Sequence, residues 1–146
     1  MSKILSCLQP TYLPWLPFFE RMIISDIFII FDDVEFSKNS NHNRNYIKNN
    51  SEKLLLTVPI KYKNRILIKD IEIDNSKNWK KKHWQTIKQT YGKLESFKKI
   101  YHGLKQIYEK DWKYLSDINI EIIKFFVDYL NIQSEVFISS RLNVNG

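Results

Sequence analysis

The sequence predicts an α/β protein with a Rossmann-like parallel β-α-β core, a small β-rich insertion and C-terminal helices. Three observations lead there. Within residues 3–31 an apolar strand, a short helix and a second apolar strand follow one another, the order of a right-handed β-α-β unit. Residues 44–73 interrupt that alternation with short β-type runs. Beyond residue 75 the apolar residues recur at three and four, the helical period. A length of 146 residues is ordinary for one domain, so residues 1–146 are expected to form a single α/β domain.

Residues 3–8 form the first strand, a short apolar run, and residues 9–13 a loop. Pro14 or Trp15 opens a helix to about Ser25. Pro14 and Pro17 are tolerated there because first-turn amides have no intrahelical acceptor. Phe18, Phe19, Met22 and Ile23 give that helix its apolar stripe. Residues 27–31 are five apolar residues in a row, the signature of a central parallel strand. The asparagine-rich stretch 37–50 contains a strand near 45–47, and residues 54–60 form another, with Lys48-Asn49-Asn50-Ser51 as the hairpin turn. Residues 66–68 and 71–73 continue strand character. Asn75 or Ser76 caps a helix that runs through Trp79, His83, Trp84, Ile87 and Tyr91 and stops at Gly92. Ser96 caps a second, whose stripe is Phe97, Ile100, Tyr101, Leu104, Ile107 and Tyr108. A third spans about 111–130, with Leu115, Ile118, Ile122, Phe126 and Tyr129 on one face. Residues 136–138 are a last short strand. The tail, 139–146, follows a strand where an α/β layer normally continues into a helix, so the chain is expected to be the N-terminal portion of a longer architecture.

The single cysteine, Cys7, cannot form an internal disulfide, and its place within the first strand predicts a buried, inert thiol. No signal-type apolar region is seen, and no run approaches the ~18 apolar residues of a membrane span, so a soluble cytoplasmic protein is expected. The formal charge of +7 suits an anionic partner such as a nucleotide, a nucleic acid or a membrane surface. It equally suits a coding bias: alanine is absent, and Lys, Ile and Asn dominate. Only four arginines are present, so Arg44 stands out as a bidentate donor kept where Lys is the default.

The three glycines, Gly92, Gly103 and Gly146, cannot build a Gly-rich phosphate loop of Rossmann or P-loop type. The best candidate site is the proline-clamped loop at residues 9–15. Gln9 and Tyr12 offer polar groups there, and Tyr12 and Trp15 offer flat faces for a base or sugar. Asp32 and Asp33 end the second strand at the same rim, where open α/β sheets bind ligands. Either could serve as a general base or hold Mg²⁺ through water, or else cap a turn. In Asn43-Arg44-Asn45 the amides could bind a polyhydroxylated ligand and Arg44 a phosphate, or the run could equally build a self-hydrogen-bonded loop. His42, beside them, is the weaker candidate. Asn78, Lys82 and His83 could turn into the crevice as a polar edge, with His83 as a catalytic candidate and Asn78 as a binding one, though a histidine sharing a helix face with Trp79 and Ile87 is commonly a satisfied core residue. His102 reads as surface. The histidine spacing supports no metal site. Lys80-Lys81-Lys82 between Trp79 and Trp84 invites stacking on RNA, but both tryptophans fall near the apolar stripe, leaving the lysines as the solvated side.

Five ordered blocks resemble the WbqC-like family. They are Gln-Pro-Thr-Tyr-Leu-Pro-Trp at 9–15, Phe-Asp-Asp-Val-Glu-Phe-Ser-Lys at 31–38, Asn-Arg-Asn-Tyr-Ile-Lys at 43–48, Leu-Thr-Val-Pro-Ile at 56–60, and the stretch 68–84 ending Lys-Lys-Lys-His-Trp. The resemblance implies a cytoplasmic bacterial role in O-antigen or other surface-polysaccharide synthesis, as a transferase moving an acyl or aminoacyl group onto a nucleotide-linked amino sugar. It also implies a longer family architecture with a second half. Leu8 replaces a histidine that many relatives carry, Pro17 a common glycine, and Glu35 a common glutamine. A looser likeness of strand, Pro-Thr loop and helix to the HIGH-type nucleotidyltransferases implies an ATP- and Mg²⁺-using alternative. Leu13-Pro14-Trp15-Leu16 lacks their signature, so that likeness bears on fold. A non-catalytic RNA-binding or scaffold protein is the third reading.

Overall fold

The computed structural model describes residues 2–49 and 51–142. Its elements are β1 (Leu5–Leu8), α1 (Leu16–Ile23), β2 (Ile27–Ile30), β3 (Arg44–Asn49), β4 (Glu52–Thr57), β5 (Ile60–Lys61), a 3-10 turn (Ile68–Asp70), β6 (Glu72–Ile73), α2 (Trp79–Tyr91), α3 (Glu95–Glu109), α4 (Leu115–Tyr129), β7 (Glu135–Ile138) and a 3-10 turn (Ser139–Arg141). Among the described residues the architecture is mixed α/β, with four helices and a three-stranded parallel sheet ordered β1-β2-β7. Leu5, Ile27 and Glu135 lie level across it, as do Leu8, Ile30 and Ile138. The run of apolar residues after Asp26 is thus the middle strand, with Phe28 and Ile30 fully buried.

Two apolar cores meet at α4. Under the sheet, Phe18, Phe19 and Met22 of α1 pack with Phe28, Ile30 and Ile138 and with Ile120 and Ile123 of α4. On the other side of α4, Ile118 and Ile122 join Ile47, Leu56 and Ile71 of the insertion and Trp79, Leu104 and Tyr108 of α2 and α3. A helix walled on two sides must be apolar on two sides, which explains why its pattern exceeds one stripe.

The insertion is a hairpin of β3 and β4, with Arg44 opposite Thr57 and Asn49 opposite Glu52, followed by the small β5–β6 pair. Asn50 of the expected turn and residues 143–146 of the tail lie outside the described residues. Residues 66–68 depart from the predicted strand. Leu67 makes one bridge to Glu35, and the chain then coils into the 3-10 turn, with Ile68 buried against α4. The caps also differ. α2 starts at Trp79, because Asn75 is occupied in binding the Trp112 carbonyl and the Trp79 indole. α3 begins at Glu95, and Ser96 lies inside it. No helix among the described residues is long and apolar enough to cross a membrane.

Gly103 lies where α3 crosses α4, and a Cβ there would collide with the ring of Phe125. Gly103→Ala gains up to about 1 kcal/mol of helix propensity but loses about 1–3 kcal/mol to overpacking, so a net loss is expected in urea unfolding. Adding Phe125→Leu should recover part of it.

Candidate functional site

A crevice of about 330 Å³ opens beyond the C-terminal end of β1, against the first turn of α1. Gln9, Thr11, Trp15, Arg21, Asn41 and His42 supply its polar and aromatic wall. The loop that builds it is pinned twice. The Tyr12 amide donates to the Asn41 carbonyl at 2.9 Å, and the Asn45 side-chain amide donates to the Tyr12 and Leu13 carbonyls at 3.2 and 2.8 Å. Leu13 sits between them in the left-handed region, at φ 47°. Trp15 occupies the N-cap position of α1 and is 62% exposed. The indole also borders a second, more apolar recess formed by Leu13, Tyr46, Tyr91 and Phe97.

His42 lines this crevice. The ring is buried, and its Nε2 lies 2.8 Å from Gln9 Oε1. A carboxamide oxygen only accepts, so Nε2 carries the proton and Nδ1 keeps a free lone pair. Among the described residues that Nδ1 has no hydrogen-bond partner, and neither does the buried Oγ1 of Thr11. Burial lowers the His42 pKa, which keeps the imidazole neutral. The backbone is held from below: Asn119, fully buried in α4, donates to the His42 carbonyl at 2.7 Å. Sequence reasoning placed more weight on Arg44 than on His42 and did not single out Thr11, Arg21 or Asn41. The signal lay in the pairing of Gln9 with His42 across 33 residues, which no local spacing reveals.

The aspartates do something else. Asp32 is buried at the end of β2. Its Oδ1 accepts from the Ser140 amide at 3.0 Å and lies 3.2 Å from Ser139 Oγ, while its Oδ2 accepts from Ser140 Oγ at 2.8 Å and Ser116 Oγ at 3.4 Å. The Ser139 hydroxyl donates to Asp33 Oδ1. The carboxylates thus latch the turn after β7 onto β2 and α4. Neither borders the crevice, and donors already occupy the oxygens of Asp32, so the pair does not fit a Mg²⁺ site. Among the described residues no three His, Cys, Asp or Glu side chains converge on a metal position.

Tyr12 and His83 are corrected as well. Tyr12 is fully buried, its hydroxyl 2.8 Å from His83 Nδ1 and bonded to the Tyr108 hydroxyl. Burial holds the His83 pKa down at about 4, the Thr57 carbonyl opposing in part, and raises both tyrosines. This trio closes the core beneath the loop and presents nothing to a ligand. Asn43 bonds the Val58 carbonyl, and with Arg44 it borders a separate groove beside Thr57 and Tyr62. Asn45 serves the loop, and Asn78 lies by Lys80 and Asp111. Of the predicted site, the structure brings together Gln9 and Trp15 in one crevice with His42, the weaker candidate, and disperses the rest. Cys7 is exposed, against expectation. Trp79 is buried and Trp84 stacks with Phe97, Tyr101 and Tyr108, so neither is free for a base, and Lys80 pairs with Asp111 at 2.8 Å.

The model of the WbqC-like protein family matches residues 9–146. An uncharacterized protein of Mycobacterium tuberculosis is 32% identical over 139 residues, covering 93% of this chain and 59% of its own length. The chain therefore spans about three-fifths of the curated relative it matches. No solved structure matches at a significant level.

Asp32→Asn would turn an amide toward the Ser140 donors and should cost about 2–3 kcal/mol in urea unfolding, whereas Ser116→Ala should cost about 0.5–1.5 kcal/mol. For His83, the unfolded ring titrates near 6.5 and the native ring at about 4. Between those values only the unfolded chain takes up the proton. Stability is therefore full above the unfolded value and falls as pH drops toward the folded one, by about 3 kcal/mol in all. Urea midpoints at neutral pH and near the folded value measure this, and His83→Gln should flatten the slope.

Proposed function

We propose that this chain, which belongs to the WbqC-like protein family, binds a nucleotide-linked amino sugar in the crevice beyond β1 and transfers an acyl or aminoacyl group to it. The setting is cytoplasmic synthesis of a bacterial surface polysaccharide such as O-antigen. One observation carries the choice of site: Thr11 and His42, two residues of one crevice wall, each hold a buried polar atom, Oγ1 and Nδ1, without a partner among the described residues. Leaving such atoms unpaired costs about 1–3 kcal/mol each, which a polar ligand can recover. Around them stand groups suited to a nucleotide-sugar. Trp15 offers a flat face for a base or sugar ring, Arg21 a cation for phosphate, and Gln9 and Asn41 amides for hydroxyls.

The Gln9–His42 hydrogen bond supports a base role for His42. It sets the tautomer so that Nδ1 accepts a proton. As the sugar amine attacks the acyl carbonyl, a C–N bond forms, the acyl carrier departs with its electron pair, and the amine proton passes to His42 Nδ1. Gln9 steadies the resulting imidazolium by keeping its carbonyl oxygen on Nε2–H. Asp32, Asp33 and His83 take no part in this step.

Thermal unfolding with UDP- and dTDP-linked amino sugars tests binding, with ATP plus Mg²⁺ and a short RNA as competing probes. A ligand at a hundred times its dissociation constant should add about 2.7 kcal/mol. Arg21→Gln and His42→Gln should each reduce the response, and Arg44→Lys should not. A response to ATP with Mg²⁺ or RNA alone would overturn the reading. Transfer should fall on the acid side of the ordinary histidine value of 6.5, because His42 must be neutral to act and burial lowers its pKa. An acid limb unchanged in His42→Gln would assign the base elsewhere.

A further inference from the structure

The parallel sheet is covered on one face only among the described residues. α1 and α4 pack on Phe28, Ile30 and Ile138. The alternate residues face the other way. Leu5 is 58% exposed, Phe31 and Phe137 are each 38% exposed, Cys7 is exposed, and Ile27 and Ile29 are half-buried. The apolar strip has polar ends: the Lys3–Glu135 ion pair at one and Asp33 with Ser139 at the other. Purely parallel sheets are nearly always buried on both faces, and a large apolar patch with a polar rim marks an interface. The outer edge of β1 also pairs with no strand among the described residues.

Topology says what fits there. The chain steps β1 to β2 to β7 in one direction, with helices from both connections on the same face. Parallel connections are right-handed, so a helix reaches the opposite face only if a new strand is added in the other direction, beside β1. The chain spans 59% of its M. tuberculosis relative, and the remaining two-fifths is enough for strands and helices of that kind.

We propose that the open face of Leu5, Cys7, Ile29, Phe31 and Phe137, with the free edge of β1, receives the polypeptide corresponding to the part of the relative that lies outside the match. That polypeptide adds a parallel strand to β1 and lays an amphipathic helix over the strip. Its strand ends beside Gln9, so docking also supplies a further wall to the crevice. The surface itself does not depend on what the crevice binds.

The experiment co-expresses the 146-residue chain with the unmatched part of the relative and follows alkylation of Cys7, amide exchange of β1 and the mass of the complex. A one-to-one complex is expected, with Cys7 alkylation slowed about tenfold or more and new protection along β1. Leu5→Lys and Phe137→Lys should abolish it while leaving the helical signal of the chain unchanged. Cys7 labelling of the unaltered chain provides a readout independent of those variants. No complex, or full Cys7 reactivity in the mixture, overturns the inference. So does a dimer of the chain alone that protects Cys7, since a second copy then owns the face. Nucleotide-sugar binding is not a readout here, so its failure and the failure of docking are distinguishable.

Discussion

Burial of α4 on both sides is the constraint from which the rest follows. One helix closes the space under the parallel sheet and also floors the space beneath the insertion. Neither core can be completed without it, so the two are expected to form and melt together. The same helix carries two buried polar residues among its apolar ones. Asn119 holds the backbone at His42, and Ser116 reaches the carboxylate of Asp32. The proposed base and the latch at the end of the sheet are therefore positioned from a single rigid element.

Much of the fold was legible in the chain itself. Five apolar residues after Asp26 announced an inner strand, and the three-four spacing after residue 75 announced helices. Both are periodicity, and periodicity reports which side of an element is wet. The 3-10 turn at Ile68–Asp70 was not legible, because Ile66-Leu67-Ile68 satisfies a strand pattern and its true partner is a distant helix. The caps were missed for a related reason: Asn75 has better partners in Trp112 and Trp79 than a helix N-terminus offers.

The site was less legible than the fold. A polar residue in a loop can face solvent, ligand or core, and sequence alone does not choose. Tyr12, Asp32 and His83 went inward and satisfied one another or nearby serines. Gln9 and Trp15 stayed at the crevice. The sorting is set by long-range partners such as Tyr108 and Ser140, whose sequence distances are 96 and 108 residues. The five sequence blocks mix residues that hold the loop with residues that line it.

Trp15 has one more consequence. This residue lines two hollows, one toward Arg21 and a greasier one toward Tyr91 and Phe97. Were its ring to swing into either hollow, the other would widen. Guests lodged on the two sides would thus antagonise each other without ever touching, each favouring the ring position that crowds the other, and by reciprocity each would weaken the other to the same degree.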